Sequence, residues 1–211
     1  TLVATMNSDE PQKIRSYERE RVDASRIEKK HLRRLSGEFY RGHAFVHWTL
    51  AIENRATGWL TPNFHHEWKL FLLHTCARYD LACPAYVLMP DHAHVVWLGL
   101  NEHGSDQRVG VEFLRKHLRP SLAPADWQHQ PFDHFLDEAE RQHGAFSSVA
   151  HYLFENAVRA GLVIDWRDYP FTGCAIAGYP ALNVRQDNYW ELFWRIYNRL
   201  IETYRSTRSR S

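Results

Sequence analysis

Two hydrophobic periods take turns along this chain, and each change of period marks an element. Stretches of alternating, β-branched or bulky apolar residues predict strands over 44–53, 83–88 and 95–100. Successive side chains of a strand point to opposite faces, and such residues suit a pleated, buried surface. A helix is predicted over 62–79, opened by Thr61-Pro62: an N-cap hydroxyl, then a proline whose missing N–H costs nothing in a first turn. Helical spacing returns over 109–119 and over 148–161, the latter with Ser148 suited to N-capping and Gly161 to C-capping. A further strand is expected near 172–176. Beyond it Trp190, Phe193, Trp194, Tyr197, Leu200, Ile201 and Tyr204 recur at helical spacing. That aromatic stripe is expected to dock on the body of the protein rather than to stack on bases. The order of elements is compatible with a ferredoxin-like α+β sandwich.

The chemistry gathers at two of these elements. At the entry to the third strand stands Met89-Pro90-Asp91-His92-Ala93-His94-Val95-Val96. Side chains two apart on a strand share a face, so His92 and His94 can grip one ion. In a chain with 14 histidines such a pair is weak evidence by itself, because paired imidazoles also satisfy each other. The helix over 148–161 supplies a second element: Tyr152 and Asn156, one turn apart, share a face and offer a phenolic nucleophile beside an oxygen ligand. Val149, Leu153 and Ala157 would bury the adjacent stripe. Taken singly, Tyr152 is equally well a core-edge tyrosine and Asn156 a surface amide. His43, His47, His65 and His66 are assigned no role, and Trp59, Trp68 and Trp127 read as core or rim.

Four pieces in order make a more specific pattern. They are Tyr86-Val87-Leu88-Met89-Pro90-Asp91-His92-Ala93-His94, Asp126-Trp127-Gln128-His129-Gln130-Pro131-Phe132-Asp133-His134, the run from Tyr152 to Val163, and Asp168-Tyr169-Pro170-Phe171. With them the chain resembles the single-tyrosine HUH transposases, in particular the REP-associated tyrosine transposases of bacteria, over about 35–174. The resemblance implies a ferredoxin-like antiparallel sheet with helices packed on it, of HUH endonuclease type, plus a C-terminal helical extension. It implies that His92, His94 and Asn156 bind a divalent ion and that Tyr152 attacks DNA, keeping the 5′ phosphate and leaving a free 3′ hydroxyl. The expected partner is hairpin-containing (REP-like) single-stranded DNA. The chain departs from the family where it has Asn156-Ala157 for Asn-Pro, Phe135-Leu136-Asp137 where an Arg usually follows, and Thr172-Gly173 near a usual Ser pair.

The residue types agree with that chemistry. Strand cleavage needs a nucleophile, a means of neutralising the scissile phosphate and a stabilised leaving oxygen. Neutral imidazoles with oxygen ligands suit Mg2+ or Mn2+, with Zn2+ as an alternative, and the ion would serve as Lewis acid and template. A neutral phenol reacts only with a base, a metal or a positive field nearby. Two other functions are weighed: a domesticated single-stranded nucleic-acid-binding protein without cleavage activity, and a metal phosphoesterase using water.

Charge changes the picture only through its distribution. The net is +1. Residues 1–34 hold nine Lys or Arg against six Asp or Glu, residues 35–184 eleven against sixteen, and residues 185–211 six against three. Basic ends on an acidic middle fit a protein that guides a phosphate backbone from its flanks. Arg26, Lys29, Lys30, Arg33 and Arg34 would form a basic helical stripe, and Arg115, Lys116 and Arg119, closed by Pro120, a second patch. Arg33, Arg34, Arg115, Lys116, Arg119 and Arg159 are the candidate DNA contacts. The expected organisation is a basic arm over 1–34, a catalytic domain over 35–176 and an extension with an amphipathic helix over 177–211. No apolar run approaches the roughly 18 residues of a membrane span, and the start does not resemble a secretory signal. A cytoplasmic protein with no membrane partner is expected. Its three cysteines lack Cys-x-x-Cys spacing and read as reduced core thiols. The tail after Asp187 favours a monomer using its own tyrosine over a homodimer exchanging helices.

Overall fold

A computed structural model of the chain describes residues 36–208. The arm over 1–34, with its basic stripe and with Arg33 and Arg34, lies outside the described residues. Five strands, β1 (Phe45–Ala51), β2 (Leu81–Met89), β3 (His92–Gly99), β4 (Phe132–Phe135) and β5 (Thr172–Ala175), form one antiparallel sheet in the order β4-β1-β3-β2-β5. Helices α1 (Pro62–Arg78) and α2 (Gln107–Leu122) complete the βαββαβ order of the ferredoxin-like fold, with β5 added at the β2 edge. The α+β expectation is thus met.

Each face of the sheet builds its own core. On one, α1 and α2 bury Trp68, Leu72, Leu114 and Leu118 against Trp48, Tyr86 and Trp97. On the other, Val87, Val96 and Leu98 meet Phe146, Leu153, Tyr189 and Phe193 from α4 (His143–Phe154) and α6 (Tyr189–Arg208). The short α3 (Glu138–Arg141) and α5 (Asn156–Arg159) flank α4. The C-terminal aromatic stripe docks as expected. Three phenols of α6 fix it: Tyr189 donates to the Pro84 carbonyl at 2.5 Å, Tyr197 to the Gly99 carbonyl at 3.1 Å, and Tyr204 to the Asp80 carboxylate at 2.6 Å. Buried phenols with partners add hydrogen bonds to apolar area without leaving a polar group stranded.

Three sequence expectations change. The strand near 172–176 is the fifth rather than the fourth, because β4 at the opposite edge is only four residues long, too short for its period to register. The tyrosine-bearing helix begins at His143, not at Ser148, and a turn at Glu155 divides it. Ser148 lies inside it and donates to the Gly144 carbonyl at 3.1 Å, the mid-helix alternative to capping. Its end is as expected: Gly161 takes φ +69° and Leu162 N–H returns to the Ala157 carbonyl at 3.0 Å, a glycine cap. Finally, Pro120 does not close α2, which runs from its Asp106 cap to Leu122.

Two stability effects follow from close contacts. A methyl on Gly99 would lie 1.7 Å from the Gly42 carbonyl oxygen. Gly99→Ala is therefore expected to lose about 3 kcal/mol in urea unfolding, the cost of forced overpacking; an unchanged midpoint would refute the contact. His65 shares a 2.9 Å hydrogen bond with the Tyr86 hydroxyl. Burial, helped by the charges of Lys69 and Arg185, lowers its pKa to about 4. The folded state thus binds fewer protons than the unfolded one between pH 6.5 and 4, so stability falls as pH drops through that window. The fall is expected to be shallower in His65→Gln, read as melting temperature against pH.

Candidate active site

The hairpin between β2 and β3 turns on Pro90 and Asp91, pairing Met89 with His92. Two residues on, His94 lies between Thr49 of β1 and Val87 of β2. Antiparallel register puts cross-strand partners on one face, so both histidines share the face of Val87 and Val96, on which α4 packs. Their Nε2 atoms stand 3.0 Å apart.

Each imidazole is held from behind by its other nitrogen. His92 Nδ1 meets the Asp91 carboxylate at 2.6 Å, so it carries the proton there and turns the Nε2 lone pair towards His94 Nε2. Asp91 also accepts from Arg55 at 3.1 Å. Burial works against its charge, but the hydrogen bond with His92 and the Arg55 guanidinium outweigh it and hold its pKa below the usual carboxylate value. His94 Nδ1 meets His47 Nε2 at 3.0 Å and the Thr49 hydroxyl at 3.1 Å. Burial, with the charges of neighbouring groups, lowers the His47 pKa to about 3 and drives that of His94 well down. Both are neutral, and a hydroxyl or neutral imidazole can donate or accept. Either tautomer of His94 therefore finds a partner at Nδ1.

His47, Thr49, Asp91 and Arg55 were not singled out from the sequence. Asp91 stood inside the quoted motif, and His47 and Thr49 alternate on a predicted strand; that alternation was the available signal. What brings them to His94 is cross-strand register, which no local pattern displays.

Tyr152 and Asn156 sit one turn apart, as read. The Tyr152 side chain is 45% exposed, and the Arg159 guanidinium lies 3.8 Å from its ring centroid. Arg159 also donates to the Tyr152 carbonyl at 2.8 Å and to Asn156 Oδ1 at 2.9 Å. One arginine thus links the tyrosine and the amide, and its charge contributes to lowering the His94 pKa. Asn156 Nδ2 donates to the Leu153 carbonyl at 2.9 Å.

The other candidate contacts lie elsewhere. Arg115, Lys116 and Arg119 belong to α2, on the opposite face of the sheet. Arg115 donates to the carbonyls of Gln128 and His129, tying down the segment before β4. Arg119 pairs with Asp126 at 2.8 Å, and Lys116 is exposed.

Among the described residues no three His, Cys, Asp or Glu side chains gather to hold a metal. The imidazole pair nevertheless fits one ion. Two ligands at about 2.1 Å and right angles are about 3.0 Å apart, the separation observed; the two Nε2 atoms hydrogen-bond each other, and an ion would take that bond's place, drawing on the Nε2 lone pair of His92 and, in its Nδ1–H tautomer, of His94. Asn156 Oδ1 has a second lone pair beyond the one that Arg159 uses.

A five-stranded antiparallel sheet carrying a His-x-His pair on its middle strand, with the tyrosine helix packed on that face, is the HUH-type fold. Comparisons with known proteins point the same way. A Haemophilus influenzae protein, provisionally named REP-associated tyrosine transposase, is 20% identical over 151 residues, spanning 64% of this chain and 81% of that protein. A solved structure of a REP-associated tyrosine transposase bound to a REP hairpin shares the fold with a TM-score of 0.56 at 21% identity, over 68% of this chain and 81% of that one. No family model matches. The resemblance read from the four motifs thus reappears in a curated relative and in a solved fold.

Proposed function

We propose that this chain is a DNA strand transferase that binds hairpin-containing single-stranded DNA and cleaves and rejoins it through a 5′-phosphotyrosine. The observation that carries this is the convergence of two Nε2 atoms, 3.0 Å apart, on the sheet face that bears the Tyr152 helix. The transposase relatives and the neighbour's REP hairpin support the choice of DNA.

His92, His94 and Asn156 would hold Mg2+ or Mn2+, which would supply Lewis acidity at the scissile phosphate. The remaining steps belong to side chains. Tyr152 Oη attacks phosphorus, the bond to the 3′ oxygen breaks, and that oxygen leaves as a hydroxyl. The phosphodiester energy stays in the tyrosyl link, so the reverse attack by a 3′ hydroxyl rejoins strands without a nucleotide cofactor. Arg159 fixes the ring and carries positive charge where negative charge accumulates. Because Tyr152 lies on a helix packed on its own chain's sheet, we take the monomer as the acting form, for sedimentation to test. Arg33, Arg34, Arg115, Lys116 and Arg119 are proposed to guide DNA towards the site, those of α2 from the far face of the sheet.

Incubation with labelled single-stranded hairpin DNA and Mg2+ or Mn2+, resolved on denaturing gels, tests this. Metal-dependent cleavage with protein-linked DNA is expected. Binding without cleavage would identify a domesticated binder, and cleavage without linked DNA a water-using phosphoesterase.

Arg159→Ala is expected to slow cleavage about 10–100-fold, the effect of losing one charged hydrogen-bonding group, with hairpin binding reduced less than tenfold. Equal losses in single-turnover rate and in affinity would make Arg159 a general phosphate contact instead.

A further inference from the structure

Resting on the metal-dependent reading above, we infer that Arg55 and Asp91 form a guanidinium–carboxylate–imidazole relay that presets His92 to present Nε2. Arg55 is thereby a positioning residue for the site.

The turn after β1 has a costly backbone. Asn54 and Arg55 both take left-handed conformations, φ 55° and 54°, which an asparagine tolerates but which are unfavourable for an arginine. Such conformations persist where surrounding contacts over-determine them, and they collect at functional sites. Three backbone hydrogen bonds hold this turn. Ile52 N–H donates to the Asp91 carbonyl at 3.0 Å, Glu53 N–H to the Asp126 carbonyl at 2.8 Å, and Arg55 N–H back to Ile52 at 3.0 Å. The turn is thus pinned to the very residue that holds His92.

The side chain completes the connection. Arg55 Nη1 reaches one oxygen of Asp91 at 3.1 Å, and the other oxygen meets His92 Nδ1 at 2.6 Å. A carboxylate bridging two donors cannot rotate freely, so the imidazole it grips keeps both its tautomer and its ring plane. An exposed ion pair alone contributes little to stability. Arg55 is 60% exposed and Asp91 31%, so the strained turn is not explained by the energy of that pair. Orientation of His92 does explain it.

The sign of one experiment separates this relay from simple electrostatics. Arg55 places a positive charge that is felt at His94, so by Coulomb repulsion alone its removal would tighten cation binding. The relay requires the opposite. Mn2+ affinity of the full chain without DNA, read by electron paramagnetic resonance, is expected to fall about 10–100-fold in Asp91→Ala, the usual loss for an outer-shell carboxylate. Asp91→Asn, which keeps an acceptor for His92, should recover part of it. Arg55→Gln should weaken binding about threefold to tenfold, less than the loss of the carboxylate itself. In an Asp91→Ala background Arg55→Gln should cause no further loss.

Nitrogen-15 spectra of the metal-free protein give a readout independent of any ion. The wild type should show His92 protonated at Nδ1, and Asp91→Ala should lose that preference. An Nε2–H tautomer in the wild type, unchanged or tighter Mn2+ binding in Arg55→Gln, or equal losses with and without Asp91 would each overturn the relay. Failure of the wild type to bind Mn2+ while His92 keeps its Nδ1 proton would instead overturn the metal-dependent function and leave the relay standing.

Discussion

Replacing His94 by Ala should abolish metal-dependent cleavage. Its Nε2 is half of the imidazole pair, so the loss should exceed the about 10–100-fold that removal of an outer-shell partner costs. The substitution has a second effect. His94 is partly buried between the two neighbouring strands, and His47 and Thr49 would each lose a partner, which should lower stability by about 1–3 kcal/mol. His92→Ala separates the two effects, since His92 lies at the strand's end and its partner Asp91 keeps the Arg55 guanidinium. It should lose cleavage to a similar degree with little change in unfolding midpoint. Single-turnover cleavage of hairpin DNA with Mn2+ beside urea unfolding reads both quantities. Undiminished cleavage in either variant would remove the pair from the chemistry.

The second large effect is at Tyr152. Its hydroxyl is the proposed nucleophile, and the ring is held by Arg159 independently of that hydroxyl. Tyr152→Phe should therefore keep the fold, the cation over the ring and hairpin binding within about twofold, while the cleavage rate falls about 10⁴-fold or more, the order lost with a covalent nucleophile. Single-turnover cleavage beside a binding titration separates the two terms. A variant that keeps most of its cleavage would transfer the role to water.

Local pattern and long-range register divide what the sequence shows from what it hides. The helix opened by Thr61-Pro62 ends within one residue of the expectation, because a cap and a proline are local signals. The His-x-His pair and the Tyr152–Asn156 turn were visible for the same reason: spacing of two on a strand and of four on a helix is fixed by backbone geometry. The partners of those groups were not visible. His47 reaches His94 only because β1 and β3 pair antiparallel, Thr49 opposite His94. Arg55 reaches Asp91 only because a left-handed turn brings them together. Arg115 and Arg119 read as a basic patch, yet their guanidinium groups bond Gln128, His129 and Asp126, within the segment leading into a strand too short to predict.

The central claim is a covalent bond, and mass spectrometry of the protein after reaction with hairpin DNA and Mn2+ tests it most directly. Nuclease trimming and proteolysis should leave a peptide containing Tyr152 that carries a nucleotide through its phenolic oxygen, present in the wild type and missing in Tyr152→Phe. An adduct on any other residue, or cleaved DNA with no adduct at all, would contradict the account.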